Sequence, residues 1–265
     1  RIFTLARSVE SLDLSLTRML SDNRLASSSL RLQLPRLKWL KIKCKRCERI
    51  STENIKLVNS LISSSKQIEY IELVIAPCIF SDITELLSTI GKLKSLKTLI
   101  LTIERIQAKQ NEFVLFTDRI SKLSFLEQLS LMIDGEQGTV LTYQNMAEVM
   151  KSVNSFEKLK ILRLDMSPLV NKDLKDKPFS LKGIFNKNLS IREMNLTGIK
   201  LKDDEFIALM KEIPNAKNLE SLAIKISDTI TEKSNNAIKT VLQSLNFLLS
   251  LHLRIYLTVE NHKLL

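Results

Sequence analysis

Turn-forming residues are scarce in this chain of 265 residues, with five glycines and five prolines. That is roughly 4% against a usual ~12%, which excludes collagen, flexible-linker arrays and most turn-rich β-sandwiches. Cysteine is also rare; three thiols in a chain with ample apolar residues predict no disulfide framework and point to a reducing, intracellular compartment. Cytoplasm or cytoskeleton is favoured there over organelle or nucleus. No apolar run reaches the ~18 to 20 residues of a membrane span; the most apolar late stretch, 245 to 259, is interrupted by His252 and Arg254. The opening stretch from Arg1 to Arg7 is too short for a signal or transit peptide, and the chain starts on arginine rather than methionine, so a longer protein is expected.

Positive charge is in excess. Lysine and arginine number 40 against 29 acidic residues, a net +11, which admits nucleic acid, acidic protein or lipid headgroups as partners. An apolar content of 44% predicts a folded chain.

The organising feature is a repeat of the form L-x-x-L-x-L-x-(I/L/M/C). Clear copies are Leu96, Leu99, Leu101, Ile103; Leu126, Leu129, Leu131, Ile133; Leu159, Leu162, Leu164, Met166; Leu219, Leu222, Ile224, Ile226; and Leu248, Leu251, Leu253, Ile255. Weaker copies start at Val9, Leu37, Ile68 and Ile191, so about nine copies recur every 28 to 33 residues. Such a period marks a repeat architecture. The period-two alternation inside each copy predicts a strand with one buried face. Between copies the period becomes helical: Ile55, Val58, Leu61 and Ile62 share a face, as do Ile83, Leu86, Leu87 and Ile90, then Met146, Val149, Met150 and Val153, and Phe206, Leu209, Met210 and Ile213. Ser51, Ser81 and Asp203 or Asp204 are the expected helix caps, and Pro214 the stop of the last of these helices.

Strand and helix repeated this way bury their leucines only by stacking on neighbouring copies. From Val9 to Ile255 the chain resembles the leucine-rich repeat family, and its long unit with a full helix is similar to the ribonuclease-inhibitor subclass. The resemblance implies an α/β solenoid: a horseshoe with a parallel concave sheet and convex helices, taken as one unit over 1–265. It departs from the family where Asn or Cys usually follows the third apolar position by three residues; Thr17, Lys45, Ala76, Glu104, Asp134, Ser167, Ile199, Ser227 and Tyr256 stand there. A doubly wound α/β sheet is the competing fold.

With the motif positions pointing inward, the residues between them line the concave face. Trp39 and Tyr70 fall in one column, with Val74, Ile100, Met132, Ile161 and Arg163 on the same face, an aromatic-ended apolar patch of the kind that anchors partners. Lys41 and Lys43 lie beside Trp39 within a basic cluster of Arg31, Arg36, Lys38, Lys45, Arg46 and Arg49, broken in sequence only by Glu48. The cluster suits an acidic protein, or phosphate with strong salt dependence, or simply a solvated face. Lys172, Lys175, Lys177, Lys182 and Lys187 mark a long insertion.

Chemistry-bearing motifs are thin. Cys44 and Cys47 have C-x-x-C spacing without a second pair, so no metal site is expected and Cys44 reads as core. His252 and His262 have no nucleophile at a recognisable spacing. The scattered glycines form no phosphate-cradling loop. Asp203, Asp204 and Glu205 read as helix-start residues rather than a catalytic pair. No cofactor, small-molecule substrate or enzymatic activity is expected. The last motif ends about ten residues before the terminus, where a solenoid requires a cap, so a continuing chain or a partner is expected to supply it. The expectation is a non-enzymatic interaction scaffold in a multi-subunit assembly, with an acidic partner on the concave face; the alternative is a nucleic-acid-binding subunit of a ribonucleoprotein.

Overall fold

The structure is a computed structural model that describes residues 8–17, 34–45, 52–75, 80–106, 112–135, 143–167, 185, 190–226 and 231–255. Its elements in chain order are β1 (Ser11–Thr17), β2 (Trp39–Lys45), α1 (Thr52–Ser64), β3 (Tyr70–Ile75), α2 (Phe80–Ile90), β4 (Thr98–Ile106), α3 (Glu112–Ser121), β5 (Gln128–Gly135), α4 (Tyr143–Val153), β6 (Ile161–Ser167), β7 (Glu193–Leu201), α5 (Asp203–Glu212), β8 (Ser221–Ile226), α6 (Glu232–Ser244) and β9 (Ser250–Ile255). All nine strands join one parallel sheet in the order β1 to β9. A doubly wound sheet reverses its strand order at a switch point; this one never does, and the competing fold is excluded.

Alternation does the folding within each repeat. In β3 half-buried and buried residues alternate from Tyr70 to Ile75. The inward leucines of the middle repeats, such as Leu99, Leu129 and Leu162, are wholly buried. The four apolar helical faces read from the sequence are buried in α1, α2, α4 and α5. Consecutive helices touch: α1 with α2, α2 with α3, α3 with α4, and α5 with α6. Helices need about 8–10 Å between axes and strands only about 4.8 Å. A repeat is therefore wider on its helical side, and the stack curves with the sheet inside. The result is a leucine-rich-repeat horseshoe whose sheet stays open rather than closing into a barrel.

Two features tie repeat to repeat. Before six of the strands a turn tucks in another apolar side chain: Leu34, Leu93, Leu123, Phe156, Ala216 and Leu245 are buried, and each carbonyl accepts the N–H three residues on. Ser65 replaces the apolar residue in one repeat, and its hydroxyl donates to the Leu37 carbonyl at 2.7 Å. Each strand start is then fastened to the one before. Lys38 and Trp39 N–H both donate to the Glu10 carbonyl, Glu69 and Tyr70 to Lys38, Lys97 and Thr98 to Glu69, and so on to Leu249 and Ser250 on Glu220. These paired backbone bonds satisfy the sheet edge in a chain without the asparagine ladder.

β7 breaks the regular register. The motif puts an inward residue at Gly198; instead Ile199 and Leu201 are the buried positions, and pairing with β8 shifts between Leu196 and Leu201. Leu196 pairs with Ile224 and Leu201 with Ile226, so β7 advances five residues to two in β8; an odd excess in one strand bends it and turns the following side chains over. Ile199, placed by the motif in the loop position, is in fact 1% exposed. A second correction concerns α5: its N-cap is Lys202, whose own side chain makes no capping hydrogen bond. Asp203 instead accepts a 2.8 Å hydrogen bond from the Thr231 hydroxyl of the next repeat. Ser51 lies outside the described residues, as does the side chain of Ser81.

Candidate functional site

The register places the outward residues in columns across the sheet. The first runs Ser11, Trp39, Tyr70, Thr98, Gln128, Ile161, Glu193, Ser221, Ser250, and the second Asp13, Lys41, Glu72, Ile100, Ser130, Arg163, Asn195, Ala223, His252. A third begins Ser15, Lys43, Val74, Thr102, Met132, Asp165. The candidate anchors Trp39, Tyr70, Val74, Ile100, Met132, Ile161 and Arg163 all stand in these columns.

Trp39 and Tyr70 are direct partners across β2 and β3, and parallel strands align their rings. The centroids are 5.1 Å apart and the planes 14° from parallel. Both are half-buried. Lys41 Nζ lies 5.9 Å from the Trp39 ring centre, within cation–π range.

Glu72, next to the stack, organises the charges around it. Its carboxylate receives Lys41 at 2.8 Å, Lys43 at 3.5 Å and the Tyr70 hydroxyl at 3.0 Å. Burial opposes the Glu72 charge, but hydrogen bonds from Lys41 and Tyr70 and the charges of Lys41 and Lys43 outweigh it and hold the carboxyl below its ordinary range. The hydrogen bond to Glu72 in turn raises Lys41. Burial, then the bond to Glu72, raises the Tyr70 phenol. Three lysines of the basic cluster are compensated within the fold: Lys41 and Lys43 by Glu72, and Lys38 by Glu10 at 3.1 Å. Arg36 is exposed. Arg31, Arg46 and Arg49, and the side chain of Lys45, lie outside the described residues, as do Cys47 and the lysines of the insertion.

The apolar residues are brought to one face without forming one stripe. Ile161 is in the Trp39 column, Ile100 in the next, Val74 and Met132 in the third, with Thr98, Thr102, Gln128 and Ser130 between them. Met132 is the most open, at 45% exposure. Arg163 grips Glu193 through Nε at 3.0 Å and Nη2 at 2.8 Å, closing this face with a second ion pair.

Two features were missed from sequence. The first is a line of charges just before β1 to β8, one place outside the positions read as facing outward: Glu10 with Lys38, Glu69 with Lys97 at 2.7 Å, Glu127 with Lys160 at 2.7 Å, and Arg192 with Glu220 at 3.3 Å. Hydrogen bonds from Lys97 and Lys160 hold Glu69 and Glu127 below the usual carboxylate range. The signal was present as charges at repeat spacing, alternating in sign from Glu10 to Lys160. The second is a cleft of about 440 Å³ across β7, β8 and β9, where Ser221 and Ala223 leave room between larger neighbours.

Nothing in the described residues assembles a reaction centre. Cys44 is buried among the core leucines. No group of three His, Cys, Asp or Glu side chains is placed to hold a metal among the described residues. Glu205, 7% exposed, is raised by burial while its carboxylate takes backbone N–H groups of Glu205 and Lys202, a helix-start role. Among the described residues no helix is long and apolar enough to cross a membrane.

No protein-family model and no curated protein matches the chain. Among solved structures it is similar to an LRR protein of Leptospira interrogans at 13% identity, over 95% of this chain and 90% of that one, with a TM-score of 0.25. A superposition that loose adds nothing to the assignment. The leucine-rich-repeat architecture stands on the unbroken strand order, the buried motif positions and the contacts of successive helices.

Proposed function

We propose that this chain is a non-enzymatic protein-interaction scaffold, a solenoid of the ribonuclease-inhibitor type working as a structural or adaptor subunit. Its partner sits on the concave sheet, anchored by Trp39 and Tyr70 and continuing over Val74, Ile100, Met132 and Ile161 to Arg163. The supporting observation is the stacked aromatic pair facing outward beside Lys41, Lys43 and Glu72. Rigid aromatics bury large area at little entropic cost, and a ring fixed by its neighbour loses less freedom on binding. An acidic partner would compete with Glu72 for the two lysines, exchanging one carboxylate for another.

Cross-linking mass spectrometry in native extract tests this reading. Links from Lys38, Lys41 and Lys43 are expected to converge on one acidic protein, and Trp39→Ala is expected to remove them. The ribonucleoprotein alternative takes its place if the links go to nucleic-acid-bound proteins, vanish steeply with salt and ignore Trp39→Ala.

A further inference from the structure

The opposite end of the concave face is built differently. Its cleft is floored by Met194, Ala223 and Leu253 and walled by Asn195, His252 and Arg254. Asn195 Oδ1 accepts from the Thr197 N–H at 3.0 Å and the Thr197 hydroxyl at 2.7 Å. With its oxygen so occupied, the amide offers its NH₂ as a donor. The acidic groups nearby are already engaged. Glu193 is held by Arg163, and Asp165, carried over the bulge of β7 onto Gly198, interacts with Lys225. Arg254, the register partner of Lys225, is exposed and has no carboxylate within ion-pair distance among the described residues.

We propose that this cleft is a carboxylate-binding site that receives an acidic segment of a protein. A guanidinium, an oriented amide and an imidazole on an apolar floor supply donors to a planar monoanion. One cation without a carboxylate among the described residues matches a single carboxylate better than a phosphate dianion. The volume of about 440 Å³ holds several peptide side chains rather than a lone ion. The proposal rests on the scaffold reading in that its ligand is an acidic protein on the concave face, but it places that ligand on other strands, and its test uses the free chain and a peptide.

The chain has two histidines, so their imidazole C2–H proton signals can be separated by His252→Gln and followed during titration with a hexaglutamate peptide. A saturable shift of the His252 signal is expected, with binding weakened roughly tenfold in Arg254→Gln and unchanged in Lys56→Gln on α1 and in Lys211→Gln on α5. The +11 charge alone would attract the peptide; in that case Lys56→Gln weakens binding as much as Arg254→Gln, and the proposal falls. It falls equally if the His252 signal does not move, or if inorganic phosphate moves it at lower concentration than the peptide. Loss of the Trp39-dependent partner with peptide binding intact would remove the scaffold site and leave this one.

Discussion

The two halves of the concave face share one backbone and carry opposite solutions to charge. At β2 and β3 the outward positions are filled by large side chains, and every described lysine there has a carboxylate: Glu72 for Lys41 and Lys43, Glu10 for Lys38. At β7 to β9 the outward positions include Ser221, Ala223 and Ser250, β7 is bulged, and Arg254 has no carboxylate partner among the described residues. The first half presents a raised, neutralised aromatic block; the second presents a recess with spare donors. The repeat therefore sets where side chains stand, and single residues within it decide what each place can bind.

The sharpest way to break that contrast is to show that the halves differ in their cores as well as their surfaces. Leu99 and Leu222 occupy the same motif position in the two halves, and both are wholly buried. Leu99→Ala and Leu222→Ala are each expected to cost about 2–5 kcal/mol in urea denaturation, within about 1 kcal/mol of one another. A much cheaper Leu222→Ala would mean a loosely packed second half, and the cleft would then reflect poor packing. The bulge comes next. A Cβ at Gly198 would collide with the Cβ and Cγ of Asp165, atoms that cannot swing away as a chain end could. Gly198→Ala is expected to cost roughly 1–3 kcal/mol, and Asp165→Gly in the same chain, which removes both colliding atoms, to recover part of it.

The aromatic block is sharpened by a double-mutant cycle. Trp39→Ala and Tyr70→Ala are expected to couple by about 0.5–1.5 kcal/mol, the range for stacked rings beyond their buried area; additivity within error would mean the rings merely lie side by side. Asp165 probes the other half. Burial raises its carboxyl, helped by Asp134 and opposed by Lys225. A carboxyl raised in the folded state favours folding while protonated, and that contribution is lost as pH rises from the unfolded value through the folded one. Asp165→Asn is expected to raise the thermal midpoint at neutral pH and to bring no gain at about pH 3, below the ordinary carboxyl value, where the wild-type carboxyl is already neutral. A gain of equal size at both pH values would trace it to something other than the charge.

What the sequence showed of this molecule followed from period. Leucine at motif spacing identified the inward face in eight of nine strands because alternation and burial have the same cause, and the columns followed with it, Trp39 opposite Tyr70 included. The fourth inward position of β7 could not be read, because a bulge depends on the side chain beside it, here Asp165 over Gly198, from the preceding strand. Glu72 was visible as an outward residue, but its grip on two lysines and a tyrosine depends on their reach across strands. α3 and α6 were not singled out, their apolar faces being less regular than those of the other helices: Leu115 and Leu242 point to solvent.

The smallest effect belongs to the line of charges before the strands, which runs through both halves and is the feature they share. Its pairs are exposed, so each contributes little and is screened by salt. Glu69 and Glu127 lie below their ordinary range because Lys97 and Lys160 bond to them. Their contribution is therefore present above the unfolded carboxyl value and lost as pH falls through the folded one. Exchanging the two members of one pair, Glu69→Lys together with Lys97→Glu, keeps that pair but sets its new ammonium beside Lys38 and its new carboxylate beside Glu127, whereas Glu10 with Lys38 stays intact. At low salt the exchanged chain is expected to melt slightly earlier than the original, and above about 0.5 M salt, where screening shortens to a few Å, the two are expected to coincide. Were they to coincide at low salt too, the pairs would act one by one, and the alternation along the edge would have no part in holding the repeats in sequence.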